Sequence, residues 1–249
     1  MFFQIIQRFF ILIIMKKNQL ILNPKSVARF LGVVALILVL VSIANQFAFY
    51  NKYTLNYSTQ LYVDREYNIP TLFSTLILFC ASLLLATITL LEKKRENTDV
   101  MYWAVLAFGF FYLAVDEAIQ IHEKFGIPLR KFWNNKHFGI FHHFWVIPGI
   151  AIVLVLALFF MRFFFRLPKK ARLNFFISAF LYLGGAIGIE NIGGYYTELY
   201  GENNLTYSMI ATLEESLEMA GVIVFIWSLL TYISEKYKEV QFQIPEHAN

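Results

Sequence analysis

The sequence predicts an all-α fold, a polytopic transmembrane bundle of about six helices. Of its 249 residues, 58% are hydrophobic and only 15% are charged, whereas soluble domains carry about 45–50% apolar and about 25% charged residues. Six apolar segments reach the roughly 20 residues that a transmembrane helix needs. Because the alternating pattern of barrel strands is absent, we expect one helical domain that contacts a lipid bilayer.

The six predicted spans form one transmembrane domain over residues 27–234. Each is expected to be helical, because hydrocarbon offers the backbone no water to bond with. The third span carries acidic residues near its end, and the fifth is rich in glycine. The spans cover residues 27–50, 70–91, 100–123, 141–165, 173–196 and 207–233.

The segments outside these spans are short. Residues 1–26 begin apolar but are interrupted by polar residues such as Arg8, and they lack the small-residue cleavage site of a signal peptide. Two alternatives are an interfacial helix with Arg8 reaching the membrane surface and translation that starts at Met15. Residues 235–249 are expected to be a polar cytoplasmic tail.

Lysine and arginine residues predict the orientation of the chain. When six spans alternate across the membrane, 15 of the 21 basic residues fall on one side and six on the other. Basic residues concentrate on the cytoplasmic side of membrane proteins, so both termini are expected in the cytoplasm. The net charge of +4 is then a sign of topology and predicts no nucleic-acid partner.

Acidic residues gather in one half of the membrane. Seven of the 17 acids lie within or at the edge of predicted spans, where each costs about 2.5–3.5 kcal/mol on insertion scales and is a functional candidate. The third and fifth spans end, and the fourth and sixth begin, on the same predicted outer side, so these acids share one region with two histidines. The set is Asp116, Glu117, Glu123, Glu190, Glu214, Glu215 and Glu218, with His142 and His143.

Helical periodicity refines this set. At about 100° per residue, the acids of the third span share one arc of their helix, and His122 points away from it. Of the two adjacent histidines of the fourth span, only one is expected to face the acids. In the fifth span, Gly184 and Gly188 predict a close approach to a neighbouring helix beside Glu190, and the pair at 193–194 is expected to end the helix.

The predicted cluster has no lysine or arginine to neutralise it. Adjacent carboxylates in low dielectric cannot all stay ionised, so they must share protons, hold a cation or open to water. Carboxylate with imidazole suits Fe, Mn or Zn, and carboxylate with amide oxygens suits Ca. We therefore predict a divalent metal ion bound by Asp116, Glu190, Glu214, Glu218, His142 and His143, with Glu117 and Glu215 as catalytic proton carriers.

No sequence motif confirms the metal interpretation. The Glu-x-x-His pairs of di-iron bundles are absent, as are HExxH and HxxxH. Each candidate also has a structural explanation: acids in the first turns of a helix complement its dipole, and histidines beside Trp145 suit an interfacial aromatic belt. Asp116, Glu117, Glu190 and Glu218 are deeper and fit such explanations less well.

Four strings carry a resemblance to a known group: FYLAVDEAIQIHE, HHFWVIPG, IGIENIGG and ATLEESLEMAG. They resemble segments of uncharacterised bacterial multi-pass membrane proteins of about six helices, over about residues 100–233. The resemblance implies a bacterial plasma membrane protein and no particular reaction. Alkaline-ceramidase-like hydrolases, with a zinc site of three histidines and an aspartate, do not fit because the last span has no HxxxH.

Three functions remain open at this point. The first is a metal-dependent membrane enzyme, a hydrolase or an oxidoreductase, acting on a lipidic or interfacial substrate. The second is a proton- or cation-coupled transporter, which ranks lower because the polar groups stop in one leaflet and the two halves of the chain do not resemble each other. The third is a non-catalytic subunit of a membrane complex, or a homo-oligomer.

Overall fold

The computed structural model confirms the all-α fold class and the six spans. It describes residues 13–16, 19–52, 59–65, 67–122, 124, 126, 128 and 139–237. Six helices within these ranges are long and apolar enough to cross a membrane.

The helices follow the predicted order with small shifts at their ends. The fifth span, Lys169–Tyr200, consists of two α-helices joined by a π-helical turn at Gly184–Ile189. Short 3₁₀ turns lie at Thr59–Leu61 and Gly139–Phe141. The helices are α1 (Pro24–Tyr50), α2 (Ile69–Lys94), α3 (Val100–Ile119), α4 (Val146–Arg166), α5 (Lys169–Leu183), α6 (Glu190–Tyr200) and α7 (Leu205–Lys236).

The N-terminal segment is described only in part. Strands β1 (Ile13–Lys16) and β2 (Gln19–Leu22) pair in antiparallel fashion, and the interfacial helix and the start at Met15 both stay predictions. Residues 1–12, and residues 238–249 of the predicted tail, lie outside the described part of the chain.

Three asparagines begin the helices that frame the bundle. Asn23 accepts hydrogen bonds from the backbone N–H groups at the start of α1. Asn68 does the same for α2 through Thr71 N at 3.0 Å, and Asn204 for α7 through Tyr207 N at 3.0 Å. An asparagine side chain satisfies the otherwise unpaired donors of a helix N-terminus, so these positions set where the three spans start.

Helix α7 is the centre of the bundle. In its most apolar window 56% of the residues are buried, against 11% for α4. Hydrogen bonds hold α7 to its neighbours: Gln46 Nε2 on α1 donates to Thr212 Oγ1 at 3.1 Å, and Ser178 Oγ on α5 donates to Gly221 O at 2.8 Å. Such polar contacts stabilise helix pairs in membranes, where lipid is as apolar as the helix faces.

Helix α4 packs mainly through its two ends. Phe163 and Leu167 are buried at one end and Val146 at the other, while its middle is exposed, with Val155 65% accessible. Near the first of these ends Phe163 contacts Trp103 of α3 edge to face, with ring centroids 5.0 Å apart. The middle of α4 therefore stands away from the core, and the space behind it is the cavity described below.

A buried ion pair closes the end of the bundle where α2 and α7 finish. Glu92, which is fully buried, lies 2.6 Å from Lys236 Nζ and accepts hydrogen bonds from Asn97 and the Tyr237 hydroxyl. Burial and the adjacent Glu92 carboxylate raise the pKa of Tyr237 above its ordinary value of 10.0. Arg95 lies over the Tyr237 ring at 4.7 Å. We call this end, rich in basic residues, the basic end.

Candidate functional site

A cavity of about 1410 Å³ lies between α3, α4, α5 and α7. Most of its wall is apolar. Its polar residues come from the opposite end of the bundle, where α3 ends and α7 begins, which we call the acidic end. The acidic residues and histidines that line the cavity are Asp64, Asp116, Glu117, His122, His143, Glu190, Glu214, Glu215 and Glu218.

The cavity lining brings together seven of the eight predicted site residues. The exception is His142, which does not line it. Glu123, named with the acids of the third span, lies outside the described residues. The six described acids of the predicted set therefore line one cavity, and the roles assigned to them stay predictions.

Asp116 is paired with His122, contrary to the prediction that His122 points away. Helix α3 ends at Ile119, and Gln120 adopts a left-handed conformation with φ 54°. This turn folds the chain back, so that His122 N donates to Asp116 Oδ1 at 2.8 Å and His122 Nδ1 lies 2.7 Å from Oδ2. The prediction failed because it continued the helix past Gln120, where no glycine or proline marks its end.

Glu190 is the meeting point of three other elements. Its Oε1 accepts a hydrogen bond from Trp145 Nε1 at 3.1 Å and lies 3.4 Å from His143 Nδ1. Its carboxyl group also lies beside that of Glu214 on α7. Two adjacent carboxyl groups in low dielectric do not both stay ionised, so this pair is suited to sharing a proton.

The two pairs are connected through Trp145. The rings of His122 and Trp145 are 4.8 Å apart at their centroids, and the indole N–H of Trp145 then reaches Glu190. Asp116, His122, Trp145, Glu190 and Glu214 therefore form a continuous row across the acidic end.

His142 takes a different partner from the one predicted. Its Nδ1 lies 3.9 Å from Glu198 Oε2, so both adjacent histidines face carboxylates of α6, at Glu190 and Glu198. They can do so because the chain before α4 is not yet helical and passes close to Gly194, where a Cβ would lie 2.8 Å from the His143 ring. Glycines 193 and 194 thus make room for the histidines and do not end the helix, which continues to Tyr200.

The close approach between the fifth span and α7 occurs at Gly185. A Cβ there would lie 2.8 Å from Glu214 O and 3.0 Å from Glu218 Cγ, whereas Gly184 and Gly188 have nothing within 4 Å. The prediction of Gly184 and Gly188 as contact residues was therefore wrong. The prediction assumed a regular α-helix. Because the π-helical turn changes which residues of this stretch face α7, the contact lies at Gly185 instead.

Glu117 and Glu218 also border a second, much smaller cavity. It has a volume of about 10 Å³ and is lined by Ser74 and Tyr182 as well as by both acids. This volume is close to the minimum of about 10–15 Å³ that holds one water molecule. The two acids therefore share one small polar space beside the main cavity.

The site has a strong excess of acidic groups. Within the described part of the chain, no lysine or arginine lines the cavity. The described lysine nearest in sequence, Lys124, is exposed and its Nζ donates to Ile119 O at 2.6 Å, at the C-terminus of α3. Sequence reasoning missed Trp145, Asp64 and Glu198 as neighbours of the site, and it placed His122 on the wrong side of its helix.

A metal ion remains a prediction. Within the described residues, no three or more His, Cys, Asp or Glu side chains are arranged in a way that could hold a metal ion. Glu190 lies beside His143 and Glu214, and these are carboxylate and imidazole groups of the kind that suits Fe, Mn or Zn.

The family of the chain follows from its match over the whole bundle. The model of a domain of unknown function, DUF8692, matches residues 29–233. The chain belongs to the DUF8692 family. The match runs from the first turns of α1 almost to the end of α7, and so contains every candidate site residue. No curated protein and no solved structure matches the chain.

Proposed function

We propose that this multi-pass membrane protein is an enzyme that holds a lipidic substrate in the cavity and acts on its polar head by acid–base chemistry. The observation that carries the proposal is the division of the cavity into two parts. Apolar side chains of α3, α4 and α5 line most of its length, and the ionisable groups gather at the acidic end. An amphiphile has the same division between chain and head.

The Asp116–His122 pair is the proposed base. A carboxylate that accepts from Nδ1 holds the imidazole in one orientation and stabilises the cation that forms when the ring takes a proton. In that tautomer Nε2 carries the lone pair, so His122 would remove a proton from water or from a hydroxyl of the head group. His122 is 30% exposed and Asp116 only 13%, as expected when the ring reaches the substrate and the carboxylate positions it.

The Glu190–Glu214 pair is the proposed acid. The proton that the two carboxyl groups share would pass to the leaving group, and the indole N–H of Trp145 with the imidazole of His143 would stabilise the carboxylate that remains. In this arrangement Glu117, Glu215 and Glu218 extend the acidic lining towards the second cavity.

A divalent metal ion, Fe, Mn, Zn or Ca, is the alternative to the shared proton at this pair, because a carboxylate that binds a metal ion has lost its proton. The donor set fits carboxylate and imidazole ligation, with Glu190, Glu214 and His143 as the core ligands and Asp116 and Glu218 beside them. Such an ion would supply a Lewis acid or an activated water molecule. His142 is less suited, because it faces Glu198 outside the cavity.

We further propose that the acidic end faces the outside of a bacterial plasma membrane, with both termini in the cytoplasm. The support is the 15-to-6 distribution of lysine and arginine along the chain.

The test is turnover of a lipid panel by purified protein in micelles, read by mass spectrometry. Asp116→Asn is expected to reduce turnover by about 10²–10⁴, the usual contribution of a positioned acid–base group. Glu202→Gln is the matched control, because Glu202 is exposed on the loop at the same end and does not line the cavity. Equal loss in the control would contradict the proposed base.

The alternatives give different results in the same preparation. Ion flux in liposomes that disappears with Asp116→Asn, without lipid turnover, would establish transport instead. Co-purification of a defined partner, with neither turnover nor flux, would indicate a subunit of a complex. A stoichiometric metal content in the purified protein that is lost in Glu190→Gln plus Glu214→Gln would support a metal site. If the active protein contains no metal, the metal site is removed from the proposal.

A further inference from the structure

The charge of the cavity narrows the class of molecule that it accepts. Among the residues that the structure describes, seven carboxyl residues and two histidines line it, and no lysine or arginine does. Within this described lining, carboxyl groups outnumber imidazoles by seven to two. A phosphate, sulfate or carboxylate head would meet further negative charge in low dielectric, which is strongly unfavourable.

The same end of the cavity is lined by aromatic rings. Tyr112, Trp145, Tyr182 and Tyr207 are among its lining residues. Aromatic faces attract ammonium groups, and quaternary ammonium ligands are recognised in this way. Aromatic rings beside carboxylates are therefore suited to a cationic head.

The remaining cavity suits an alkyl chain. Its wall along α4 runs from Pro148 to Phe164, which is about 24 Å of helix at 1.5 Å per residue. Its volume of about 1410 Å³ exceeds the roughly 300–1,000 Å³ of ordinary ligand pockets.

The cavity is also open to its surroundings. Phe108 and Phe176, which line it on α3 and α5, are 71% and 58% exposed. In a bilayer these faces would be covered by lipid chains, so an amphiphile could enter from the side with its chain already in hydrocarbon.

We infer that the ligand of this cavity is a cationic amphiphile, an alkyl chain with an amine or quaternary ammonium head. The inference rests on the proposed function and names its substrate class. The ammonium group would lie at the acidic end among Asp116, Glu190 and Glu214, where it would neutralise carboxylates that otherwise have to share protons. The chain would lie between α3, α4 and α5.

The experiment compares amphiphiles that share one alkyl chain and differ only in the head. An alkyltrimethylammonium and an alkylamine are compared with the fatty acid by native mass spectrometry of the protein in a neutral maltoside detergent at neutral pH. The cationic probes are expected to bind at least about tenfold more tightly than the fatty acid, a factor that corresponds to about 1.4 kcal/mol. Equal or tighter binding of the fatty acid would overturn the inference, and this comparison needs only the unmodified protein.

Two variants locate the binding. Glu190→Gln plus Glu214→Gln is expected to weaken binding of the cationic probes about tenfold or more, while Glu202→Gln leaves it unchanged. Unchanged binding in the double variant would contradict the inference.

A third variant separates this inference from the proposed function. Ala157 lines the cavity on α4 and Ala151, on the same helix, is exposed and does not. Ala157→Trp is expected to block every amphiphile and Ala151→Trp none. If the fatty acid binds best and Ala157→Trp still blocks its binding, the head-group inference is wrong, but the cavity remains the lipid-binding site. If Ala157→Trp affects no probe, the proposed lipid site fails as well.

Discussion

Replacing Gly185 by alanine tests the contact that brings the two halves of the site together. Gly185 lies in the π-helical turn before Glu190, and its Cα faces the backbone of α7 at Glu214. The added Cβ would lie 2.8 Å from Glu214 O, although ordinary contacts begin at 3.4 Å. The two backbones would have to separate by about 0.6 Å, and no side-chain rotation can relieve a clash with a carbonyl oxygen.

The magnitude follows from two opposing effects. Alanine is preferred to glycine in a helix by about 0.5–1 kcal/mol, and overpacking a tight interface costs about 1–3 kcal/mol. Gly184→Ala and Gly188→Ala have only the first effect, because nothing lies within 4 Å of their Cβ positions. Gly185→Ala has both effects, so it should be less stable than either by the cost of the clash alone, about 2 kcal/mol.

The assay is the midpoint of thermal or SDS-induced unfolding of the three variants, measured in one detergent. We expect Gly185→Ala to fall below the unmodified protein and Gly184→Ala and Gly188→Ala to equal or exceed it. The lipid turnover of Gly185→Ala should also fall, because the Glu190–Glu214 contact lies beside the clash. If Gly184→Ala or Gly188→Ala is the destabilising variant, the helix phase described here is wrong.

Three further predictions concern the basic end and the orientation. Glu92→Gln should lower the free energy of unfolding by about 1–3 kcal/mol, because Lys236 and Tyr237 lose a buried charged partner. The control, Glu96→Gln, changes an exposed residue and should have no such effect. Equal unfolding midpoints of the two variants would refute this prediction. Because folding raises the pKa of Tyr237 above 10.0, the unfolded chain ionises first, so stability should fall as the pH rises above about 10; Tyr237→Phe should flatten a plot of unfolding midpoint against pH. After removal of the chain's single cysteine, Glu202→Cys should react with an impermeant maleimide on intact cells and Glu96→Cys only after permeabilisation; the reverse pattern would invert the topology.

The architecture was predictable because each span is determined locally. Water-free hydrocarbon requires every backbone polar group to bond within its own helix, so apolar length is enough to find the spans. The helix starts were equally local, with Asn23, Asn68 and Asn204 directly before α1, α2 and α7. The region of the site was predictable for a topological reason, since alternation of six spans brings the acids of four half-spans to one end.

The partners within that region were not predictable. The pairing of His122 with Asp116 depends on the left-handed conformation of Gln120. Glycine adopts this conformation most easily, and a glutamine in the sequence does not indicate it. The contact at Gly185 depends on the π-helical turn, which shifts the faces of all residues near it. The left-handed residue and the π-helical turn are each a local departure from a regular α-helix. Arguments from helical periodicity assume that the helix is regular throughout.

The sequence by itself determined that this chain is a six-span helical bundle with its acids gathered at one end, because hydropathy and alternation of spans act on long segments and average over local detail. Only the tertiary structure decided that Asp116 pairs with His122, that Glu190 meets Trp145, His143 and Glu214, and that an apolar cavity leads to them. Those contacts join residues from separate elements, and their geometry depends on ångström-scale packing and on two irregular turns. The chemistry that we propose is located in that geometry.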